Sequence, residues 1–290
     1  MSHTRATRPE SRPPKWVPRR STARRVFSHA RWRVGRIHRS LADSAQVRER
    51  RSYLLREVTR RPSTGRYVLR DGRAAVVLRH HTDDTGVFAE IFRDGYYALP
   101  ERVAADLRSR GRRATFVDLG ANVGLFGVWV LTHFPRAHLT AFEPDPASLK
   151  TLREVMAING VADAWPVISA CASNHEGRVA FAATGTSVSR VTGPGSPDAT
   201  TEVPVVDVFD YLKTVDVLKM DIEGGEWDIL LDPRWPSVSA RVVLMEYHPH
   251  GCPGPDARDL ALAMLRNAGY AVERLIHHPA GHGMLRATRD

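Results

Sequence analysis

The chain has 290 residues, of which 42% are hydrophobic, and this composition is sufficient to bury the core of one large domain. Its formal net charge is +10, but the charge is unevenly distributed. Residues 1–61 contain seventeen Arg and one Lys against four acidic residues, a net charge of +14, so the remaining residues carry −4. This distribution indicates a mildly acidic body with a basic arm, and it argues against a uniformly basic nucleic-acid-binding protein.

Cysteine content and hydropathy argue against a protein stabilised by zinc or disulfides and against a protein with a transmembrane helix. Cys171 and Cys252 are too few for a four-cysteine zinc site or a disulfide framework, and this usage is typical of a reducing compartment. We therefore expect a cytoplasmic location. The apolar run at residues 123–131 is nine residues long, whereas a transmembrane helix needs about 20, so no such helix is predicted.

Residues 1–61 form the predicted basic N-terminal arm. Prolines among arginines in the first twenty residues predict disorder. Apolar residues at spacings of three and four then predict a helix over residues 24–45, and a second helix is expected through Val47, Leu54 and Val58. Three roles stay open for this arm: a helical cap on its own domain, a surface for an anionic lipid or polymer, and a targeting presequence.

Residues 62–112 form a predicted lead-in to the main domain. The run YVLRDGRAAVVL places Asp71 and Gly72 between two β-prone segments, which predicts a hairpin. The following TDDTGVFAEIFRDGYYALP predicts a helix with Val87, Ile91 and Phe88 on its apolar face.

Residues 113–290 form the predicted main domain, in which strand-like runs alternate with helical or mixed segments. The runs cover residues 115–119, 139–143, 165–171, 215–221 and 241–247. This alternation predicts an α/β fold with a parallel sheet and crossover connections. The chain ends in AVERLI and GMLRAT around a turn, which predicts an antiparallel hairpin at one edge of that sheet.

The first strand-to-helix turn of the main domain reads DLGANVG, residues 118–124. Ligands of open parallel sheets bind at such turns. Gly120 lets a ligand approach the backbone, and Asn122 tolerates a positive φ while its amide offers a donor and an acceptor. A dinucleotide fingerprint would require glycine in place of Asn122 and Leu125, and no tyrosine is followed by Lys four residues later. The sequence therefore argues against a nicotinamide dinucleotide site.

The second strand ends in AFEPDP, which places Glu143 twenty-three residues after Gly120. An acidic residue at this tip accepts hydrogen bonds from both ribose hydroxyls in sites for NAD and for S-adenosylmethionine. The alternative is an acid favoured by the dipole of the following helix. Glu143 alone does not distinguish these interpretations.

The chain resembles the FkbM family of class I S-adenosylmethionine-dependent methyltransferases in four segments that occur in the same order. These segments are FVDLGANVG, AFEPDP, VDVLKMDIEGGEWDIL and VVLMEYHP. The resemblance extends from about Thr82 to about Pro249 and leaves the basic arm outside. It implies a Rossmann-like α/β fold with a mostly parallel seven-stranded sheet and an antiparallel last strand. It also implies S-adenosylmethionine as methyl donor and an oxygen acceptor on a secondary metabolite or sugar.

The resemblance assigns cofactor-binding roles to matching positions. Residues 120–122 and Gly124 would line the methionine end, Asp118 would support this loop, Glu143 and the adjacent Pro144 would lie at the ribose, and Ser173 and Asn174 would lie near the adenine. Tyr97 would close over the cofactor. The full predicted set is Asp118, Gly120, Ala121, Asn122, Gly124, Glu143, Pro144, Ser173, Asn174 and Tyr97.

The segment VLKMDIEGGE carries the predicted catalytic residues, because a strand period of two places Lys219, Asp221 and Glu223 on one side. Methyl transfer to a hydroxyl needs an aligned acceptor and removal of its proton. Asp221 is the first candidate as base or as orienter of the acceptor, with Lys219 tuning it and Glu223 as an alternative. His248 is the competing base. The other interpretation is structural, with a Lys-Asp pair and two glutamates at a helix start.

Several further clusters leave alternatives open. The segment EYHPHGC offers Glu246, His248, His250 and Cys252 as metal ligands, and Asp221 with Glu246 could bind Mg²⁺. We expect neither metal site. HHTDD at residues 80–84 is a solvated loop or a part of the acceptor pocket. The sequence predicts a methyltransferase for a small-molecule or glycan acceptor, and the alternative is a non-catalytic nucleotide-sensing module that docks on nucleic acid or anionic membrane through the basic arm.

Overall fold

The computed structural model describes residues 39–59, 61–186, 189–192 and 196–289, so most of the predicted arm, including residues 24–38 of its first helix, lies outside the described residues. Residues 39–44 are helical, and helix α1 (Arg50–Thr59) follows. Strands β1 (Ser63–Val68) and β2 (Ala75–His80) then form an antiparallel hairpin. The Gly72 amide donates to the Leu69 carbonyl at 2.8 Å, and Gly72 has φ 77°. The predicted hairpin is confirmed.

Helix α1 packs on this hairpin through aromatic and polar contacts. Tyr53 is fully buried and lies against Tyr67 and His80. The His80 ring lies between the Tyr67 hydroxyl, at 2.6 Å, and the Glu57 carboxylate, at 2.7 Å. The predicted second helix is therefore present, but it begins at Arg50, so Val47 precedes it in a β-bridge with Leu69. Val58 is 72% exposed.

The remaining helices and strands follow in chain order. The helices are α2 (Asp84–Phe92), α3 (Glu101–Ser109), α4 (Leu125–His133), α5 (Pro146–Asn159), α6 (Phe209–Leu212), α7 (Glu226–Leu230) and α8 (Ala257–Asn267). The strands are β3 (Thr115–Leu119), β4 (His138–Phe142), β5 (Val167–Ile168), β6 (Cys171–Ser173), β7 (Gly177–Ala182), β8 (Arg190–Val191), β9 (Thr201–Asp207), β10 (Val217–Met220), β11 (Val242–Tyr247), β12 (Ala271–His277) and β13 (Gly283–Thr288). Among these, α2 confirms the lead-in helix, with Phe88 and Ile91 buried and Val87 partly buried.

Seven strands form the main sheet in the order β12-β13-β11-β10-β3-β4-β5. Strands β11, β10, β3, β4 and β5 are parallel, and β13 pairs antiparallel with both β11 and β12. The closing hairpin is thus confirmed, with β12 at the edge and β13 inserted beside β11. The mostly parallel sheet with an antiparallel last strand is also confirmed.

The single strand predicted over residues 165–171 is wrong, because a second sheet begins within this segment. That segment divides into β5, which continues the main sheet, and the following residues, which enter β6 in a four-stranded sheet ordered β6-β9-β7-β8. The sequence shows a single β-prone run here because β-propensity does not record which neighbour a strand pairs with.

The strands that reach the functional edge are buried on both faces. All four residues of β10 are buried, and so are four of the five in β3. Phe116 joins the core cluster that contains α4, whereas Val117 joins the cluster that contains α7 and α8. Parallel strands covered by helices on both sides have this pattern, and it brings the carboxyl ends of β3, β4, β10 and β11 to one edge. Within the described residues, every helix is too short or too polar to cross a bilayer.

Candidate functional site

A pocket opens beyond the carboxyl ends of β3, β4 and β10. It contains about 870 Å³ of space free of protein atoms, a volume that includes its open mouth. Apolar side chains of α2 and α4 line it, among them Ile91 and Phe126. Nine of the predicted site residues form part of the wall: Tyr97, Gly120, Ala121, Asn122, Glu143, Pro144, Lys219, Asp221 and Glu223.

Gly120 is required by a backbone contact that the sequence did not reveal. Its φ is 81°, and a Cβ built on it would lie 1.8 Å from the carbonyl oxygen of Asp221. The loop after β3 thus passes against the loop after β10, a constraint on Gly120 in addition to the predicted close approach of a ligand. Glycine here lets the two functional loops meet.

Asn122 and Glu143 connect the first loop to the tip of β4. Asn122 has φ 47°, as its tolerance of the left-handed region predicts. Its amide N–H donates to Glu143 Oε2 at 2.7 Å, and the Asp145 amide donates to Glu143 Oε1 at 2.7 Å. The Asn122 side-chain oxygen accepts from Ser148 Oγ at 3.0 Å and is 3.3 Å from Arg79 Nη2, so this acceptor is turned away from the pocket.

Glu143 is an unusual carboxylate because it is 6% exposed. Burial raises its pKa to about 7, although the backbone hydrogen bonds from Asp145 and Asn122 act in the opposite direction. Each carboxylate oxygen accepts one amide and retains a second lone pair. Glu143 can therefore accept additional hydrogen bonds from a ligand in the pocket.

Four predicted cofactor residues lie outside the pocket wall. Gly124 has φ 84° and precedes α4, where a Cβ would lie 3.0 Å from the Trp165 ring. Asp118 is fully buried beneath the loop. Ser173 and Asn174 lie at and just beyond the end of β6, with Ser173 Oγ 3.5 Å from Asp228, and residues 170–172 line the pocket instead.

Lys219 lies between the two carboxylates of neighbouring strand ends. Its Nζ is 3.2 Å from Asp118 Oδ1 and 3.8 Å from Asp221 Oδ2, and it donates to the Gly120 carbonyl at 2.5 Å. Burial lowers the pKa of Lys219, but the charges of Asp118 and Asp221 outweigh burial and raise it above its ordinary value. Lys219 is therefore a buried cation that fixes both functional loops.

His248 follows β11 and is oriented by Glu226. Its Nδ1 lies 3.0 Å from Glu226 Oε1, which also accepts the His248 amide at 2.7 Å. Its Nε2 faces Glu223 at 3.5 Å and Glu246 at 3.8 Å. Burial disfavours the charged ring, but the hydrogen bond to Glu226 and the surrounding carboxylates raise the pKa of His248 to about 10.

Acidic side chains gather around the end of the pocket near Asp221. Burial raises the pKa of Glu223 and of Glu90 to about 7, and burial with the charge of Asp221 raises that of Glu246 to about 8. Glu90 was not predicted, because nothing in the sequence of α2 indicates that it faces a strand end 130 residues later. The predicted placement of Lys219, Asp221 and Glu223 on one side of a strand is only partly correct, because β10 ends at Met220 and Glu223 has φ 52°.

The segment between β7 and β9 forms a pocket wall that the sequence analysis missed. Ser189 Oγ and the Gly185 amide both donate to Asp145 Oδ2, at 2.6 and 2.8 Å. Thr186 and Arg190 line the pocket beside them. Asp145 also caps α5, since its other oxygen accepts from Ala147 N at 2.8 Å. No local pattern reveals this wall, because it depends on pairing within the second sheet.

The strand order, the reversed last strand and the pocket at the carboxyl edge together define a Rossmann-like protein of the class I methyltransferase type. The family model described as the methyltransferase FkbM domain matches residues 118–272, just over half of the chain. The chain therefore belongs to the FkbM methyltransferase family, and the resemblance stated from the sequence is confirmed.

Relatives of this chain carry methyltransferase names. Methyltransferase 1 of Beauveria bassiana (strain ARSEF 2860) is 25% identical over 184 residues, which cover 54% of this chain and 72% of the relative. Methyltransferase sdnD of Sordaria araneosa is 23% identical over 235 residues, which cover 65% of this chain and 82% of that relative. Among solved structures, methyltransferase FkbM from Methylobacillus flagellatus KT is 18% identical, with a TM-score of 0.44 over 71% of this chain and 54% of that chain.

Proposed function

We propose that this protein transfers the methyl group of S-adenosylmethionine to a hydroxyl oxygen of a secondary metabolite or sugar. The observation that carries the proposal is the position of Glu143, whose carboxylate lies at the tip of β4 and contacts the Asn122 amide of the first loop. A carboxylate in this place accepts hydrogen bonds from the ribose hydroxyls of an adenosyl cofactor.

The remaining pocket supports the same orientation of the cofactor. We assign the methionine end to Gly120, Ala121 and Asn122, and the adenine end to the wall formed by residues 170–172. Tyr97 is 5% exposed and lines the pocket between these loops and α2, which supports its predicted role in closing over the cofactor. Pro144 contributes to the wall directly after Glu143.

The methyl transfer is a displacement in line with the sulfur. A lone pair of the acceptor oxygen forms the new O–C bond while the C–S bond breaks, and the electron pair of that bond leaves with sulfur as S-adenosylhomocysteine. The hydroxyl proton must leave the acceptor, and Asp221 is the proposed orienter or base because it lines the pocket with its side chain 25% exposed. Lys219 positions Asp221 by its charge at 3.8 Å.

The other predicted bases fit this role less well. His248 directs Nδ1 to Glu226 and Nε2 toward Glu223 and Glu246, and it is not part of the pocket wall. Glu223 lines the pocket but its side chain faces His248. The geometry thus favours Asp221 over either residue for contact with the acceptor.

Isothermal titration calorimetry with S-adenosylhomocysteine tests the cofactor assignment, with NAD as the control ligand. We expect saturable binding of S-adenosylhomocysteine at one site and no binding of NAD, because Asn122 and Leu125 replace two fingerprint glycines. Transfer of labelled methyl from S-adenosylmethionine to a panel of polyhydroxylated acceptors then tests the reaction. Binding of NAD in place of S-adenosylhomocysteine would contradict the proposal.

A further inference from the structure

We propose that Asp221, Glu223 and His248 bind one divalent transition-metal ion at the acceptor end of the pocket. One ligand atom from each residue lies within 4.8 Å of the other two, and the three residues come from the ends of two neighbouring strands, β10 and β11. Asp221 and Glu223 line the pocket, so an ion can reach them from its mouth.

The separations suit a single ion. Ligands at about 2.1 Å from a metal lie about 3 Å apart when adjacent in an octahedron and about 4 Å apart when opposite. Glu223 Oε2 is 3.5 Å from His248 Nε2, within this range. Small rotations of the two partly exposed carboxylates, 25% for Asp221 and 22% for Glu223, would complete the coordination.

The surroundings of His248 are those of a metal-binding imidazole. Glu226 is fully buried and engages Nδ1 at 3.0 Å, which fixes the ring and directs Nε2 toward Glu223. A carboxylate on the far nitrogen is the usual partner of a histidine ligand. One imidazole with two carboxylates selects Mn²⁺, Fe²⁺, Co²⁺ or Zn²⁺ over Mg²⁺, which prefers oxygen ligands.

Tyr97 also lines this pocket, and nearby carboxylates act on it. It is 5% exposed. Burial and the nearby charges of Asp221, Glu246 and Glu90 raise its pKa, so it remains a neutral donor. A buried phenol near these carboxylates would donate to a water or to an acceptor oxygen on the ion.

The role of the ion rests on the proposed methyl transfer. Coordination of the acceptor hydroxyl would weaken its O–H bond, so that the Asp221 oxygen not bound to the ion accepts the proton as the acceptor oxygen attacks the methyl carbon. The metal is neither oxidised nor reduced, and the electron pair of the broken C–S bond stays with sulfur.

Electron paramagnetic resonance of Mn²⁺ titrated into the full-length protein tests the site, because bound Mn²⁺ loses the sharp signal of the free ion. We expect one site with a dissociation constant of about 1–100 μM. Glu223→Gln and His248→Asn should each weaken Mn²⁺ binding at least about tenfold, and Glu226→Gln about tenfold through loss of ring orientation. The matched control is Glu202→Gln, a carboxylate 63% exposed that pairs with Arg178, and it should leave the affinity unchanged.

Two results would overturn the metal site: a free-ion signal unaffected by the protein, or Mn²⁺ affinity that Glu223→Gln and His248→Asn leave at the parent value. Thermal unfolding of each variant checks the fold. If His248→Asn does not fold, Glu223→Gln still tests the site, because Glu223 is partly exposed. S-adenosylhomocysteine calorimetry on the same preparation separates the proposals. Cofactor binding without Mn²⁺ binding overturns only the metal site, whereas Mn²⁺ binding without cofactor binding overturns only the proposed function.

Discussion

Lys219 and Asp118 form a buried ion pair between adjacent strands, with Nζ 3.2 Å from Oδ1 and side chains 5% and 0% exposed. Within the described residues, neither carboxylate oxygen of Asp118 has another hydrogen-bond partner. Burial raises the pKa of Asp118, and the charge of Lys219 opposes this effect. Because Lys219 also donates to the Gly120 carbonyl, the pair links the core of the sheet to the floor of the pocket.

Lys219→Met should therefore be strongly destabilising. It leaves the Asp118 carboxylate buried without a counter-charge, which costs about 3–5 kcal/mol of unfolding free energy. The double variant Asp118→Asn/Lys219→Met should recover a large part of that loss. Urea denaturation measures both, and Lys213→Met, which removes an exposed ion pair with Asp210, should stay within about 0.5 kcal/mol of the parent.

Glu143→Ala should weaken S-adenosylhomocysteine binding about 10-fold to 100-fold, because hydrogen bonds to a charged group contribute about 1.5–3 kcal/mol. Calorimetry measures the affinity, and thermal unfolding shows whether loss of the contacts with the Asn122 and Asp145 amides changes the fold. Glu154→Ala, a partly exposed carboxylate on α5, is the matched control. Unchanged cofactor affinity in a folded Glu143→Ala protein would contradict the assignment of Glu143 to the ribose of the cofactor.

Cofactor affinity should depend on pH through Glu143. Its pKa is raised to about 7, and the ribose hydroxyls bind the ionised carboxylate, so affinity should be full well above pH 7 and fall as the group is protonated. We expect a loss of about tenfold between pH 8 and pH 6. Calorimetry across this range should show the loss in the parent and a flatter profile in Glu143→Gln. An equal slope in both proteins would assign the titration to another group.

Asp221→Asn should separate binding from turnover. Asparagine preserves the shape of the side chain, so S-adenosylhomocysteine affinity should stay within about threefold of the parent. The loss of the charge should slow methyl transfer about 100-fold, the usual contribution of a positioned acid or base. Transfer of labelled methyl to an acceptor identified in the panel of polyhydroxylated compounds measures this effect. Unchanged turnover would contradict the role of Asp221 as base or orienter.

Gly120→Ala and Gly86→Ala should have opposite effects on stability. Alanine at Gly120 is strained at φ 81° and places Cβ 1.8 Å from the Asp221 carbonyl, so we expect a loss of more than about 3 kcal/mol. Gly86 lies in α2, and no atom lies within 4 Å of the position that its Cβ would take, so alanine should stabilise the helix by about 0.5–1 kcal/mol. Equal unfolding free energies of the two variants would contradict the packing of the functional loops.

The sequence determined much of the main fold. Strands β3 and β13 begin and end where the sequence predicts, because local periodicity and turn residues limit them. The positive φ of Asn122 and the position of Glu143 at the tip of β4 also follow from local patterns, because loop chemistry and strand length fix them. The resemblance to the FkbM family added the cofactor and the order of the site residues along the chain.

Tertiary structure decided the features that depend on partners distant in sequence. Glu90 reaches the acidic end of the pocket, Ser189 reaches Asp145, and Gly120 meets the Asp221 carbonyl, although about 40–130 residues separate each residue from its partner. The second sheet likewise redirects the chain after β5. Burial and the charges of such partners also set the protonation of Glu143 and His248, and sequence periodicity carries no information on either.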